Sequence, residues 1–476
     1  MKTQLTYVAV AFACLLFFKL SAQDGAVDSP ATGGEYFFPL NSSAEPCISA
    51  AQYEVIEKRC ADNSKLYIHT EQNLKVAATA LNWPLKAKNG FMDCSFYFIS
   101  AHVDQDKATT TFKDYNCGTI SYDGHKGTDI AIGPFGIHKM DNDQVEVIAA
   151  AAGTIIDKHD GEFDKNCVGV GSNLTANYVI VQHADGSCAL YWHMKSGKLT
   201  SKIVGQTVSV GEYLGVVGSS GSSSGPHLHF EVWSGNTSAT VVDPFYASCN
   251  TLNGATWWAS QKTYTEPAIL KASVHTTDVV IPPCPGAETL NDSNSYTIPF
   301  QGSGLTPGYA KFYIFMRNET MGTAVNMEII GPGATVFTSW TRNCANSYNA
   351  SYYGYSKKLP TTAGTYTFQA TYNGVTCAQD FVIINPSGVG EINSGLFNMH
   401  IFPNPFKSDV TLQFDQALSH AQLSIYNGQG QIIKSVKNIS GREIRLNRDD
   451  LASGFYYLQL SQDSQLIGKQ KLVITD

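Results

Sequence analysis

Three short segments carry residues whose types and spacing could do chemistry together: His125-Lys-Gly-Thr-Asp129, His193, and Pro226-His227-Leu228-His229. They bring four histidines and one carboxylate. A catalytic zinc site takes three protein ligands from His, Asp, Glu or Cys and keeps one position open. This set therefore leaves two imidazoles to move protons, and the reaction class it suits is metal-assisted hydrolysis.

Strand geometry can bring these segments to one groove. Residues two apart in a strand share a face, so His227 and His229 project together while Leu228 and Phe230 turn to a core. His125 and Asp129 are also evenly spaced, and an extended chain presents both to one side. His193 ends a strand over residues 189–193 and is expected on the face of Ala189 and Tyr191. Residues 145–147, 153–156 and 178–181 read as further strands, with a hairpin turn over 184–187. Glu231 has the parity of His229, which makes it a candidate partner of that ring, though it reads first as a solvated strand position; Tyr122 is another weak candidate before His125. The Ser-Gly tract 218–225 lacks the Gly-Lys-Ser/Thr ending of a phosphate loop and reads as a flexible loop beside the groove. The insert 157–176 reads as a wall. The other histidines, His69, His102, His138, His159, His183, His275, His400 and His420, read as surface or hydrogen-bonded core residues.

Gly124-His-Lys-Gly-Thr-Asp129, Ala152-Gly-Thr154, Tyr191-Trp-His-Met194, the stretch Val208–Gly218 and Gly225-Pro-His-Leu-His-Phe-Glu231 resemble, in order, the motifs of the lysostaphin-type zinc endopeptidases. The resemblance covers residues 81–244. It implies one Zn2+ held by His125, Asp129 and His229, with His193 and His227 catalytic. It also implies hydrolysis of peptide bonds in bacterial peptidoglycan, in stem peptides or cross-bridges, next to small residues such as Gly or Ala. Two other readings stay open: a secreted metalloprotease acting on glycine-rich proteins, and a non-catalytic wall-binding or activator protein.

The chain of 476 residues is long enough for several domains. Its 43% hydrophobic and 15% charged content, with 24 Tyr, 24 Phe and 41 Gly, points to globular β structure. A net charge of -8 without a dense basic run argues against a nucleic-acid partner. Lys2, an apolar stretch over 7–18 and small residues at Ser21 and Ala22 compose a signal peptide over 1–22; no later stretch spans a bilayer. A leader or pro-segment follows over 23–80, with a short helix over 49–61 capped by Ser49. The peptidase-like β domain occupies 81–248 and a β-sandwich accessory domain, a possible surface-binding module, 255–386.

Phe402-Pro-Asn-Pro405, Leu451-Ala-Ser-Gly-Phe-Tyr-Tyr457 and the terminal Lys469-Gln-Lys-Leu-Val-Ile474 resemble the C-terminal sorting domain of type IX secretion, over residues 391–476. That resemblance implies a secreted or cell-surface protein whose tail meets the type IX machinery. Ten cysteines remain once Cys14 leaves with the signal, an even count that suits disulfides in an exported protein. Pairing in chain order is expected: Cys47 with Cys60, Cys94 with Cys117, Cys167 with Cys188, Cys249 with Cys284, and Cys344 with Cys377. No Cys-x-x-Cys pair supports a cysteine metal site. The expected fold is mainly β throughout.

Overall fold

β-Branched and aromatic residues recurring with period two favour strands. In the computed structural model only α1 (Ala50–Tyr67) and the short α2 (Gly136–Asp141) are α-helical among the described residues. Those residues are 31–35, 47–68, 78–108, 110–167, 174–385, 399–427, 431–462 and 465–476. Residues 1–22, read above as a signal peptide, about half of the segment 23–80 and the start of the segment 391–476 lie outside them. Two compact units are present, residues 1–385 and 386–476, and the chain is mainly antiparallel β, as expected.

The first unit is built on an eight-stranded sheet. Its order is Tyr97–Ala101, Thr128–Ile132, His227–Trp233, Cys188–Trp192, Tyr178–Gln182, Gly153–His159 and Thr207–Val208, with Val241–Val242 pairing to His227–Trp233. A three-stranded sheet of Leu85–Ala87, Val145–Ile148 and Tyr213–Val216 accompanies it. One hydrophobic core joins Ile130, Val179, Tyr191, Leu228 and Phe230 of the large sheet to Val145 and Leu214 of the small one.

Helix α1 supplies the other core. Its Tyr53, Ile56 and Cys60 pack with Tyr178, Leu190, Trp192 and Trp233. The Ser49 hydroxyl accepts from the Gln52 amide and the Gln52 side chain accepts from the Ser49 amide, a reciprocal cap. The helix continues to Tyr67, beyond the end expected at Ala61. Burying Tyr53 and Ile56 contributes about 1.5–3 kcal/mol each as an upper figure.

A β-sandwich completes the first unit. One sheet holds Thr32–Glu35, Tyr348–Lys358, Tyr309–Glu319 and Ala268–His275; the other holds Ser295–Thr297, Val375–Ile384, Gly364–Tyr372, Ala324–Gly331 and Thr335–Asn343. Phe312, Phe368 and Phe381 meet between them. The second unit is a five-stranded sheet around Val410, Leu412, Leu423, Leu458 and Leu472.

The disulfides overturn chain-order pairing. The bonds are Cys94–Cys377, Cys117–Cys249 and Cys167–Cys284, while Cys47, Cys60, Cys188 and Cys344 are buried free thiols. Cys47 and Cys60 do not staple α1, and Cys344 does not bridge the sandwich sheets to Cys377. Tertiary packing brings segments far apart in the chain within bonding reach, so sequence proximity does not select partners.

Candidate metal centre

The strand His227–Trp233 is the backbone of the site. Paired antiparallel with Thr128–Ile132, it sets His229 directly opposite Asp129, and with Cys188–Trp192 on its other side it sets His229 opposite Trp192. The expected alternation holds here: Leu228 and Phe230 enter the core, and His227 and His229 face the site. His125 lies before the strand Thr128–Ile132, in a turn closed by its amide on the Tyr122 carbonyl. An extended segment from His125 to Asp129 is therefore not what unites them.

His193 departs further from its expected place. Ala189 and Tyr191 point into the core shared with the small sheet. Strict alternation would send His193 after them. Instead its backbone takes a left-handed conformation, with φ of 66°, which ends the strand and turns the ring to His227 and His229, at centroid distances of 4.5 and 6.0 Å.

Three donor atoms converge. His125 Nε2 lies 3.1 Å from His229 Nδ1 and 3.2 Å from Asp129 Oδ1, and His229 Nδ1 lies 2.8 Å from the same oxygen. The outer atoms of both rings fix which nitrogens face inward. His125 Nδ1 sits 2.7 Å from the His102 carbonyl, which can only accept, so Nδ1 carries hydrogen. His229 Nε2 points to a Glu231 carboxylate oxygen at 3.4 Å. Two imidazole nitrogens and a carboxylate thus face one another, an arrangement that demands positive charge between them. Tetrahedral zinc bonds of about 2.0–2.1 Å place N and O ligands roughly 3.3 Å apart, so the set fits such an ion. Cys47 Sγ joins the group at 3.7 Å from His229 Nδ1, and Cys47, His125, Asp129 and His229 form a cluster that could hold a metal. Cys47 is a neighbour that no Cys-x-x-Cys spacing announced.

The electrostatics agree. Burial opposes charge on Asp129, but His125 and His227 hold its carboxyl well below the usual range. Burial also works against a charged His125, yet Asp129 lifts it to about 9, and His229, against the same burial, is raised by Cys47 and Asp129. Without metal, protons supply the positive charge that this cluster requires. His227 behaves differently: burial pushes it down to about 4, leaving it neutral at neutral pH.

Both remaining histidines are held by the Ser-Gly tract. His193 Nδ1 donates to the Ser220 carbonyl at 2.6 Å, and His227 Nδ1 to the Gly225 carbonyl at 2.8 Å. Each ring therefore turns an Nε2 lone pair away from its anchor; His227 Nε2 is 3.6 Å from Asp129 Oδ1. The tract is buried from Ser219 to Ser224, so it is a scaffold rather than a flexible loop. Hydrogen bonding by Ser219 and Ser223 explains why Ser recurs there.

Glu231 is fully buried, not solvated. It accepts from the Tyr53 hydroxyl at 2.8 Å and Trp233 Nε1 at 2.7 Å while facing His229. Tyr122 stacks on His125 with centroids 4.2 Å apart and contacts Cys47 Sγ at 2.8 Å. The insert places Asn166 against the Gly221 carbonyl; residues 168–173 are outside the described set. Strand parity places Glu231 on the face of His229 but carries no signal of its burial. The Ser220 and Gly225 carbonyls and Cys47 carry no sequence signal, because backbone acceptors and distant partners are visible only after folding.

Residues 123–244 match the profile of peptidase family M23, and residues 400–475 that of the secretion system C-terminal sorting domain. An uncharacterized metalloprotease of Buchnera aphidicola is 42% identical over 57 residues, covering 12% of this chain and 14% of the relative. The cell division protein DipM of Caulobacter vibrioides is 36% identical over 108 residues, covering 22% of this chain and 17% of the relative. The chain thus spans only a small part of either curated relative. Among solved structures, the catalytic domain of the antimicrobial peptidase lysostaphin from Staphylococcus simulans is 20% identical, covers 30% of this chain and 85% of that one, and has a TM-score of 0.20. The profile match and donor cluster together mark an M23-family metallopeptidase domain, followed by a sorting domain that marks the chain for export to the cell surface or beyond.

Proposed function

We propose that residues 81–248 hydrolyse peptide bonds of bacterial peptidoglycan, in stem peptides or cross-bridges, using one Zn2+ held by His125, Asp129 and His229. The observation that carries this reading is the convergence of three inward-facing donors within 2.8–3.2 Å, with two further imidazoles beside them. Similarity to the M23 profile and to a cell division protein supports the substrate class. A zinc ion there supplies Lewis acidity towards the scissile carbonyl and the attacking water.

The chain's own residues do the rest. His193 and His227, each held through Nδ1 on a backbone carbonyl, present Nε2 to accept a proton from water and return it to the leaving amine. With its pKa lowered to about 4 by burial, the His227 ring is unprotonated at neutral pH. In the same reading residues 1–22 are a signal peptide, 23–80 a leader, 255–386 an accessory sandwich and 391–476 a tail for type IX secretion.

The test uses a Cys47→Ser background, which removes the competing thiol from the donor cluster. One zinc per chain and release of cleaved muropeptides, identified by mass spectrometry, are expected. Adding His227→Ala should keep the zinc and lower hydrolysis about 10²–10⁴-fold. Undiminished hydrolysis would remove His227 from catalysis. Cleavage of a glycine-rich protein with peptidoglycan left intact would move the substrate to proteins, and wall binding without cleavage would make the domain a binding module.

A further inference from the structure

The site is closed. His125, Asp129, His193, His227 and His229 are each at most 5% exposed, and a peptide substrate has to reach all of them. The cover comes from residues ahead of the peptidase domain. Helix α1 lies on the sheet face that carries His229, Glu231 and Trp233. Arg59 pairs with Asp157 at 3.1 Å, Glu57 accepts from the Ser238 amide at 2.9 Å, and Asn63 donates to the Ile156 carbonyl at 2.8 Å. Lys126, next to the metal ligand His125, sits 4.2 Å above the Tyr53 ring. This segment lies outside residues 123–244, the extent of the M23 match.

Cys47 stands at the leading end of that cover, two residues before the Ser49 cap. A tetrahedral ion with three N or O ligands has one open position; a sulfur there, at a bond of about 2.3 Å, lies roughly 3.6 Å from each neighbour. The observed separation from His229 Nδ1 is 3.7 Å, and all four donor atoms lie within 4.8 Å of one another. A second, independent feature points to the same spot. His193 Nε2 is completely buried and has no hydrogen-bond partner, although its other nitrogen is firmly held. A buried imidazole nitrogen without a partner costs free energy, and the His193 ring is among the groups close enough to act on the Cys47 thiol.

We propose that Cys47 is the fourth metal ligand of the form described here, and that its thiolate, docked with helix α1, keeps the peptidase domain latent by occupying the position that water needs. This rests on the metal reading proposed above and adds how the site is controlled. Displacement of the segment lets the thiol leave with a proton from solvent, opens the coordination position to water and uncovers the face where the substrate binds.

Cobalt substitution of the full chain tests ligation without reference to activity. Wild type loaded with Co(II) should show a sulfur-to-cobalt charge-transfer band in the near ultraviolet. Cys47→Ser should lose that band and keep the visible bands of bound cobalt; Cys47→Ala serves as a second replacement should serine disturb folding. In the zinc form, either variant should hydrolyse peptidoglycan at least about tenfold faster than wild type, as expected when a closed site becomes an open one. Bound cobalt without the charge-transfer band in wild type, or a band that survives in both variants, overturns Cys47 ligation and leaves the peptidase reading intact. Equal hydrolysis by wild type and variants overturns latency. Failure of every form to bind cobalt or zinc strikes the metal reading itself, and the ligation proposal with it.

Discussion

At the residue scale, Glu231 sets the orientation of the His229 ring. Its carboxylate receives Tyr53 and Trp233 and faces His229 Nε2, which directs His229 Nδ1 inward. Outer partners of this kind are worth about 10–100-fold in metal affinity. Glu231→Gln, close in size, should therefore weaken zinc binding by about that factor in competition with a chelator. Unchanged affinity would show that Asp129 alone sets the ring. That His125, Asp129, His193, His227 and His229 gather in one place was legible in sequence, because metal chemistry restricts the residue types. The role of Glu231 was obscured, since period-two alternation says which face a residue shares but not whether solvent reaches that face.

At the element scale, three backbone features aim the side chains: the central strand His227–Trp233, the left-handed turn at His193 and the close approach of Gly127. A Cβ on Gly127 would stand 2.5 Å from His229 Cε1 and 2.7 Å from Nε2. The ring cannot yield, being held by Asp129 on one edge and Glu231 on the other. Gly127→Ala should keep the fold by circular dichroism yet lose about a hundredfold in hydrolysis, as displacement of a positioned group by about an ångström does. Wild-type hydrolysis in this variant, measured in the Cys47→Ser background, would count against His229 as a positioned ligand. The glycine in His-Lys-Gly-Thr-Asp was legible as part of a motif; the reason for it, a ring resting on its α-carbon, was not.

At the scale of the first unit, the sandwich is tied to the peptidase-like sheets by covalent and ionic links. Cys94–Cys377 joins them, and the neighbouring Asp93 pairs with Lys139 of α2 at 2.7 Å and with Lys271 of the strand Ala268–His275 at 2.9 Å. Burial works to raise the Asp93 pKa, but the two lysines outweigh it and the net shift is downward. A depressed carboxylate stabilises the fold above its unfolded pKa, about 3.9, and that contribution is lost as pH falls through the lower folded value. Asp93→Asn should destabilise the chain at pH 7 by on the order of 3 kcal/mol, because Lys139 stays buried without its counter-charge. Denaturant unfolding should also show a smaller loss of stability on acidification below about pH 4 than in wild type. Equal acid sensitivity would assign the loss to other carboxylates.

Period-two patterning, turn residues and the spacing of His and Asp are local properties, so the sequence by itself determined the mainly β fold, the strands around the site and the five residues that meet there. The disulfide partners, the turn of His193 off its strand, the burial of Glu231 and the arrival of Cys47 beside His229 depend on contacts between segments far apart in the chain. Those were decided only by tertiary structure, because packing and strand pairing select such neighbours and no spacing along the chain encodes them.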